Sequence, residues 1–413
     1  MIVVTASHRA GGPFLGFNPL LGVIYHWLGG LASASCYLPF RGIKRWSWET
    51  YWLVQGTFSW IFAPSIIASL LVPNLWVILR VAPPSSVFYA YFWGCLWGIG
   101  GLTCGLAIRY LGFALGYPIV LGLCTVFGTI MPPIFSGTMA VILRENSGHV
   151  ILLGLGVCVV GILFSGYAGR SKENELTESQ KQETVREFKY GKGLVVAILS
   201  GIMSACFAYG LAAGKPIGEI AKAQLLARGG SDIWQNLPVL IVVMLGGFTT
   251  NFIWCIILLA RNHSANQYFG VPAREAGQNI LVTKASTPLL GEPGRPEGVQ
   301  RHLAGSVMAL NYAFAALAGV TWYFQFFFYS MGQTKMGKYD FSSWTLHMAS
   351  IMIFATIIGM ILKEWRGTSF RTRSLVAAGL FFLVFSTVVV GYGNYMKGRE
   401  DSAQSVSAGV EQR

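Results

Sequence analysis

The feature that most constrains this chain is a series of apolar segments, each about as long as a membrane-spanning helix. A helix needs about 20 apolar residues to cross the hydrocarbon core of a bilayer. Ten segments of that length follow one another, with polar stretches between them. They cover residues 20–40, 51–72, 87–108, 113–134, 150–168, 193–213, 237–260, 304–331, 341–362 and 375–395. The sequence therefore predicts an all-α polytopic membrane protein with ten transmembrane helices.

The charge content supports this fold class and argues against a nucleic-acid-binding protein. Only 11% of the 413 residues are charged, whereas a soluble domain has about 25%. The net charge of +13 comes from Lys and Arg spread over short loops, which is the pattern of membrane orientation. The seven cysteines lie in apolar segments without paired spacing, so we expect neither disulfides nor a metal site.

A charged stretch at residues 171–192 divides the ten segments into five and five. An odd number of helices in each half inverts the topology of the second half, so we expect a 5+5 inverted repeat. The predicted parts are an N-terminal tail, two halves joined by a linker, a flexible polar insertion within the second half, and a disordered tail. The N-terminal tail covers residues 1–19, the first half 20–170, the linker 171–192 and the second half 193–396. The insertion covers residues 261–303 and the disordered tail 397–413.

The distribution of basic residues predicts the orientation. Loops after the odd-numbered segments hold 19 Lys and Arg, and the termini with the other loops hold 11. Positive residues favour the cytoplasm. We therefore expect cytoplasmic odd-numbered loops, including the 171–192 linker, and both termini on the outer side of a bacterial inner membrane.

The eighth segment carries hydrogen-bonding groups on an aromatic face. By their spacing, Trp322, Gln325 and Tyr329 share one side of a helix with Phe326. Polar groups inside a membrane are expensive and often functional. Aromatic rings suit the apolar face of a sugar, and an amide can donate to or accept from its hydroxyls. Trp322, Gln325 and Tyr329 are candidates for binding substrate.

The first and ninth segments contribute groups that can carry a proton. Asp340, Trp344 and His347 fall on one face of the ninth segment, and His26 lies in the first. Histidine changes its charge nearest to physiological pH. We therefore expect His347 to carry the proton, with Asp340 and His26 as alternates. Trp344 is a substrate candidate, although an interfacial tryptophan belt explains it equally well.

Two further candidates lie in other segments. Asn251 is near the middle of the seventh segment, where an asparagine bonds across helices or contacts substrate. Trp97 precedes a run of glycines in the third segment. Those glycines allow close helix packing, or leave a cavity that Trp97 faces.

Several local motifs resemble the L-rhamnose–proton symporter family, within the drug/metabolite transporter superfamily. The motifs span residues from about 22 to 393 in a consistent order. They are Trp46-Ser-Trp-Glu-Thr50, Leu96-Trp-Gly-Ile-Gly100, Arg109-Tyr-Leu-Gly112, Gly128-Thr129, Trp322-Tyr-Phe-Gln-Phe-Phe-Phe-Tyr329, Trp344-Thr-Leu-His-Met348 and Leu362-Lys-Glu-Trp365. The chain departs from the family in its extra N-terminal residues, the 261–303 segment and the tail after residue 397.

This resemblance implies ten helices and import of L-rhamnose together with H⁺, without a cofactor. The expected partners are L-rhamnose, protons and the lipid bilayer. An enzyme is not expected, because the sequence has no HExxH, nucleophile-elbow or Walker motif. A channel filter or charged ring is also absent from the sequence. The alternative is a carrier of the drug/metabolite transporter type for another sugar or small metabolite, with or without coupling to protons.

Overall fold

The computed structural model describes residues 17–175, 190–271 and 305–411, and every element within these ranges is helical. We number the ten long helices in chain order and give the short ones by their residues. The long helices are α1 Pro19–Ser35, α2 Trp48–Leu71, α3 Pro84–Leu111, α4 Phe113–Phe135, α5 Asn146–Asn174, α6 Tyr190–Ala213, α7 Leu237–Arg261, α8 Gly305–Lys335, α9 Ser343–Ile361 and α10 Phe370–Glu411.

Short helices lie in the connections. They are Pro39–Gly42, Leu75–Val81, Met139–Ile142, Lys215–Ala227, Asp232–Trp234, Ala265–Phe269 and Gly337–Ser342. Helix α2 contains a π-helical turn at Phe58–Phe62, and such turns are frequent at functional sites.

Nine of the long helices in the described ranges, α2 to α10, are long and apolar enough to cross a membrane. The chain is therefore an all-α, multi-pass membrane protein. Helix α1 has 17 residues, which is the lower end of the range for a spanning helix. The count of ten spans stays a prediction.

The helices of the two halves exchange partners reciprocally. Helix α1 packs against α8 and α9, and its counterpart α6 packs against α3 and α4. The fifth helix of each half, α5 and α10, pack against each other. The third and fourth helices of each half thus receive the first helix of the other half, and the 5+5 inverted repeat stays a prediction.

The prediction of a disordered tail over residues 397–413 is wrong for residues 397–411. Helix α10 continues to Glu411. The Lys397 ammonium is buried and forms an ion pair of 2.6 Å with Glu145, which also accepts a hydrogen bond from the Tyr339 hydroxyl. Asp401 pairs with Lys397 at 3.3 Å and with Lys338 at 3.0 Å. The polar residues that suggested disorder are thus held by partners far away in the sequence.

The prediction of a flexible insertion over residues 261–303 is wrong for its first part. Arg261 ends α7, and residues 262–271 pack against the start of α2. Ser264 and Gln267 are buried and hydrogen-bonded there. Residues 272–303 lie outside the described part of the chain.

Two other predicted segments lie partly outside the described ranges. Of the 171–192 linker, the first residues extend α5 to Asn174 and α6 begins at Tyr190. Residues 176–189 are not described. Of the 1–19 tail, Pro19 already begins α1, with the Asn18 side chain accepting a hydrogen bond from the Leu21 amide. Residues 1–16 are not described.

Candidate functional site

Helix α8 places its aromatic face at the centre of the helix bundle. The Trp322 ring lies 5.1 Å from the Phe326 ring, one turn further along the same face. Tyr329 continues that face and contacts the imidazoles of His26 and His347, with ring centroids 5.3 Å and 5.1 Å away. The predicted shared face of Trp322 and Tyr329 therefore runs from an aromatic cluster to a pair of histidines.

Six rings from five helices form what we call the aromatic box. Phe207 of α6 stacks on Phe326 at 4.0 Å and on Trp344 at 5.7 Å. Trp97 lies 5.8 Å from Trp322 in a stacked arrangement. The box consists of Trp60, Trp97, Phe207, Trp322, Phe326 and Trp344. Flat rings grouped in this way suit the apolar face of a sugar.

The π-helical turn of α2 positions Trp60 in the aromatic box. The Trp60 ring is 5.5 Å from Trp322 and 6.3 Å from Trp97, both edge-on. A Cβ atom at Gly56 would come within 2.7 Å of this ring, so glycine provides the space for it. The Trp60 indole nitrogen is buried and has no hydrogen-bond partner among the described residues. It is a donor available to a ligand.

His26 of α1 and His347 of α9, which we call the histidine pair, lie beside the aromatic box. Both side chains are 0% exposed and their ring centroids are 6.5 Å apart. Within the described structure, none of their four ring nitrogens has a hydrogen-bond partner. The His347 ring also contacts Phe326 at 5.8 Å and Trp344 at 6.1 Å. The predicted proton carriers are therefore adjacent to the predicted sugar-binding rings.

Small residues allow the three helices to approach at the histidine pair. A Cβ atom at Gly332 of α8 would lie 2.8 Å from His26 Nε2. The Ser350 hydroxyl lies 2.8 Å from the main-chain oxygens of both His26 and His347. Serine thereby ties α9 to α1 through the backbone and leaves both imidazoles free to bind other groups.

Gln325 and Asn251 have different surroundings. The Gln325 side chain is 4% exposed and its amide nitrogen finds no partner in the described ranges. Asn251 already donates to the Gly247 carbonyl at 2.9 Å and accepts from the Trp52 indole at 3.2 Å. Because Trp52 contacts Trp60 at 6.3 Å, Asn251 holds the wall of the aromatic box. Gln325 has the donor that remains unused.

Asp340 lies away from the histidine pair. It belongs to the short helix Gly337–Ser342 that joins α8 to α9, and its side chain is 34% exposed. Its carboxylate forms an ion pair of 3.8 Å with Lys215. The structure thus brings together the predicted residues Trp97, Trp322, Tyr329, Trp344, His26 and His347, and it places Asp340 at the end of the bundle.

The sequence did not indicate Trp60, Phe207 or Trp52 as parts of this site. Trp60 depends on a π-helical turn, and Phe207 depends on α6 crossing α8. Neither the π-helical turn nor the helix crossing has a local sequence signal. Phe326, in contrast, lies on the face that helical spacing predicted for Trp322.

A second hydrogen-bond cluster closes the end of the bundle where α2 begins and α7 ends. The Glu49 carboxylate is 4% exposed and accepts from the Ser264 hydroxyl at 2.6 Å and the Asn262 amide at 3.0 Å. Gln267 Oε1 accepts from the Ser47 amide at 2.7 Å and the Thr50 hydroxyl at 2.8 Å. We call these residues the Gln267 cluster. It joins the two halves of the chain at one end.

The fold and this site define a multi-pass membrane protein with a buried aromatic and polar site between its two halves. The family model described as the L-rhamnose-proton symport protein matches residues 17–289 and 299–396. The chain belongs to the L-rhamnose-proton symport protein family. The match covers most of the 261–303 segment, so this segment is not, as a whole, a departure from the family.

Relatives of the chain carry the same description. It is 32% identical over 377 residues to the L-rhamnose-proton symporter of Yersinia pestis (strain Pestoides F), covering 91% of this chain and 98% of the relative. It is also 32% identical over 374 residues to the L-rhamnose-proton symporter of Enterobacter sp. (strain 638), covering 90% of this chain and 97% of the relative.

Proposed function

We propose that this protein imports L-rhamnose together with protons across a bacterial inner membrane, and that it is a carrier rather than an enzyme. The odd-numbered loops face the cytoplasm and both termini face outward. Contacts between these loops support a common end for them, because Gln267 after α7 bonds Ser47 before α2, and Ser369 after α9 bonds Glu175 after α5. The count of basic residues supports the cytoplasm as that end.

The observation that carries this proposal is a set of buried polar atoms without partners around an aromatic box. Native proteins satisfy nearly all buried polar groups, so unused ones need an explanation. Trp60 Nε1, Gln325 Nε2 and the nitrogens of His26 and His347 are all of this kind in the described structure. A hydroxylated ligand with an apolar face satisfies both features at once.

The roles follow from position. Trp322, Trp97 and Trp344 stack on the apolar face of the sugar, while Gln325 bonds its hydroxyls. Tyr329 lies between the sugar and the histidine pair, and Asn251 holds Trp52 in place. His347 carries the proton, since its ring touches the box. His26 and Asp340 are the alternate proton carriers.

Uptake of labelled sugars into membrane vesicles, with and without an inward proton gradient, tests this function. L-rhamnose is expected to accumulate only when the gradient is present. Equal accumulation of L-rhamnose with and without the proton gradient contradicts proton coupling. Gradient-driven uptake of another sugar without uptake of L-rhamnose leaves the coupling intact and changes the substrate, which is the main alternative function.

A further inference from the structure

The two imidazoles occupy a closed niche between α1, α8 and α9. Both rings are 0% exposed, and their centroids are 6.5 Å apart. Gly332 of α8 lies against one edge of His26, and Gly29 of α1 lies against His347, where a Cβ atom would be 3.5 Å from Nδ1. The two rings therefore share one environment, and neither is the preferred holder of a proton by its hydrogen bonds.

The groups that face this niche are neutral or aromatic. Helix α8 contributes Tyr329, whose ring contacts both imidazoles. Helix α9 contributes Trp344 and Ser350, and α6 contributes Phe207. Helix α4 comes near with Thr129, which bonds Thr345.

Neither imidazole has a carboxylate as its hydrogen-bond partner in the part of the chain that the structure describes. The Asp340 carboxylate acts electrostatically on Tyr329, and it forms an ion pair of 3.8 Å with Lys215. A proton that reaches the niche is therefore held by the histidines without a directly bonded counter-ion.

We propose that His26 and His347 form a single proton-binding site, which takes up one proton per L-rhamnose and shares it between the two rings. This inference rests on the proposed function and deepens it. Two positive rings at this separation, with no counter-ion bonded to either one, repel each other strongly. The site therefore binds one added proton, and repulsion prevents the binding of a second. The two imidazoles titrate as one unit.

The position of the pair also explains how sugar and proton assist each other. The His347 ring touches Phe326 and Trp344 of the aromatic box. A sugar hydroxyl in the box accepts an N–H bond from the ring, and such a bond is stronger when the ring is charged. Sugar binding then favours protonation of the pair, and by reciprocity protonation favours sugar binding.

The stoichiometry of the unmodified protein tests this proposal. Proteoliposomes with the membrane potential clamped at zero are given a pH difference of one unit, and the L-rhamnose gradient is measured when net flux stops. One proton per sugar holds a gradient of about tenfold, and two protons hold one of about hundredfold. A hundredfold gradient overturns the shared site. Equal L-rhamnose concentrations on the two sides overturn the proposed symport function instead.

Variants of the two histidines distinguish a shared proton site from a single histidine that carries the proton alone. His26→Asn and His347→Asn are each expected to lose accumulation, and the double variant is expected to be no worse than either one. Exchange of labelled for unlabelled L-rhamnose, slowed by no more than about tenfold, shows that each variant is folded. Full accumulation by His26→Asn overturns the role of His26. His263→Asn is the matched control, because His263 is exposed and has a φ of 49° that asparagine tolerates.

Discussion

Several rings of the site rest directly on a glycine of a neighbouring helix. Trp97 lies against Gly247, where a Cβ atom would be 2.5 Å from its ring, and His26 lies against Gly332 in the same way. Trp344 lies against Gly128 and donates its indole N–H to the Cys124 carbonyl at 3.0 Å. At the residue scale the orientation of the rings therefore depends on the absence of a methyl group.

Replacing Gly128 by alanine tests this dependence. The new Cβ would overlap with the Trp344 indole and push it out of the aromatic box, whereas a Cβ at Gly122 of the same helix meets nothing within 4 Å. We expect Gly128→Ala to lower kcat/KM for L-rhamnose on the order of tenfold or more, and Gly122→Ala to leave it within about twofold. Equal effects of the two substitutions on transport would contradict the role of Trp344.

Replacing Gln325 by methionine separates binding from packing. The amide nitrogen of Gln325 is buried without a partner, and removing such a group stabilises a protein by about 1–3 kcal/mol. We expect Gln325→Met to raise the thermal midpoint in detergent and to raise the KM for L-rhamnose. Gln224→Met, in the short helix Lys215–Ala227, is the control for transport. An unchanged KM in Gln325→Met would show that the sugar does not use this amide.

At the scale of elements, the ends of the bundle are held by polar clusters that connect distant segments. Desolvation raises the pKa of Glu145, but hydrogen bonds from Lys397 and Tyr339 outweigh it and hold that pKa below its usual value. A carboxylate with a lowered pKa stabilises the folded state at higher pH, and this contribution is lost as the pH falls through the folded-state pKa. The attachment of the α10 end is therefore sensitive to acid.

Amide hydrogen exchange over residues 397–403 measures this sensitivity. We expect exchange in this segment to accelerate when the pH falls below the ordinary pKa of a glutamate side chain, beyond the intrinsic pH dependence of the chemistry, because protonated Glu145 releases Lys397. Glu145→Gln removes the titrating group, so its protection should already be low at neutral pH and should not fall further. A protected α10 end in Glu145→Gln would mean that other contacts hold it.

The Gln267 cluster makes a prediction about a cysteine. Cys255 of α7 is 0% exposed and lies within electrostatic range of Glu49. We expect Gln267→Ala, which removes the acceptor for Ser47 and Thr50, to make Cys255 react faster with a thiol reagent. Peptide mass spectrometry measures the labelling of each native cysteine separately in Gln267→Ala and in the protein without this substitution.

Cys158 is the internal control for this labelling. It is also 0% exposed, but it belongs to a separate core cluster formed by α5, α9 and α10. Its labelling should not change. Faster reaction at both cysteines would indicate general unfolding, and an unchanged Cys255 would show that the cluster does not seal that end.

At the scale of the whole molecule, the site lies where the halves exchange helices. Helices α1, α2 and α3 of the first half and α6, α8 and α9 of the second each supply a ring or an imidazole to it. Sequence hydropathy predicted the helices, and the spacing within α8 and α9 predicted the faces of Trp322, Tyr329 and His347, since both depend on local pattern. Trp60 and Phe207 could not be predicted, because their places depend on how distant helices cross.

Two polar segments show the same limit of prediction from sequence. The segment after residue 397 is polar and reads as disordered, yet its partner Glu145 lies about 250 positions earlier. Residues 262–271 are also polar, and their partners are at the start of α2. Composition describes whether a segment can bury apolar surface by itself, and it does not describe polar partners supplied from elsewhere.

The most direct test of the account is the proton movement that accompanies L-rhamnose. Purified protein is placed in proteoliposomes without a pH gradient, the membrane potential is clamped, and L-rhamnose is added outside while the external pH is recorded. The account predicts an immediate rise in external pH in the unmodified protein, and none in His347→Asn. Entry of labelled L-rhamnose into the unmodified protein's vesicles with no change in external pH would contradict it.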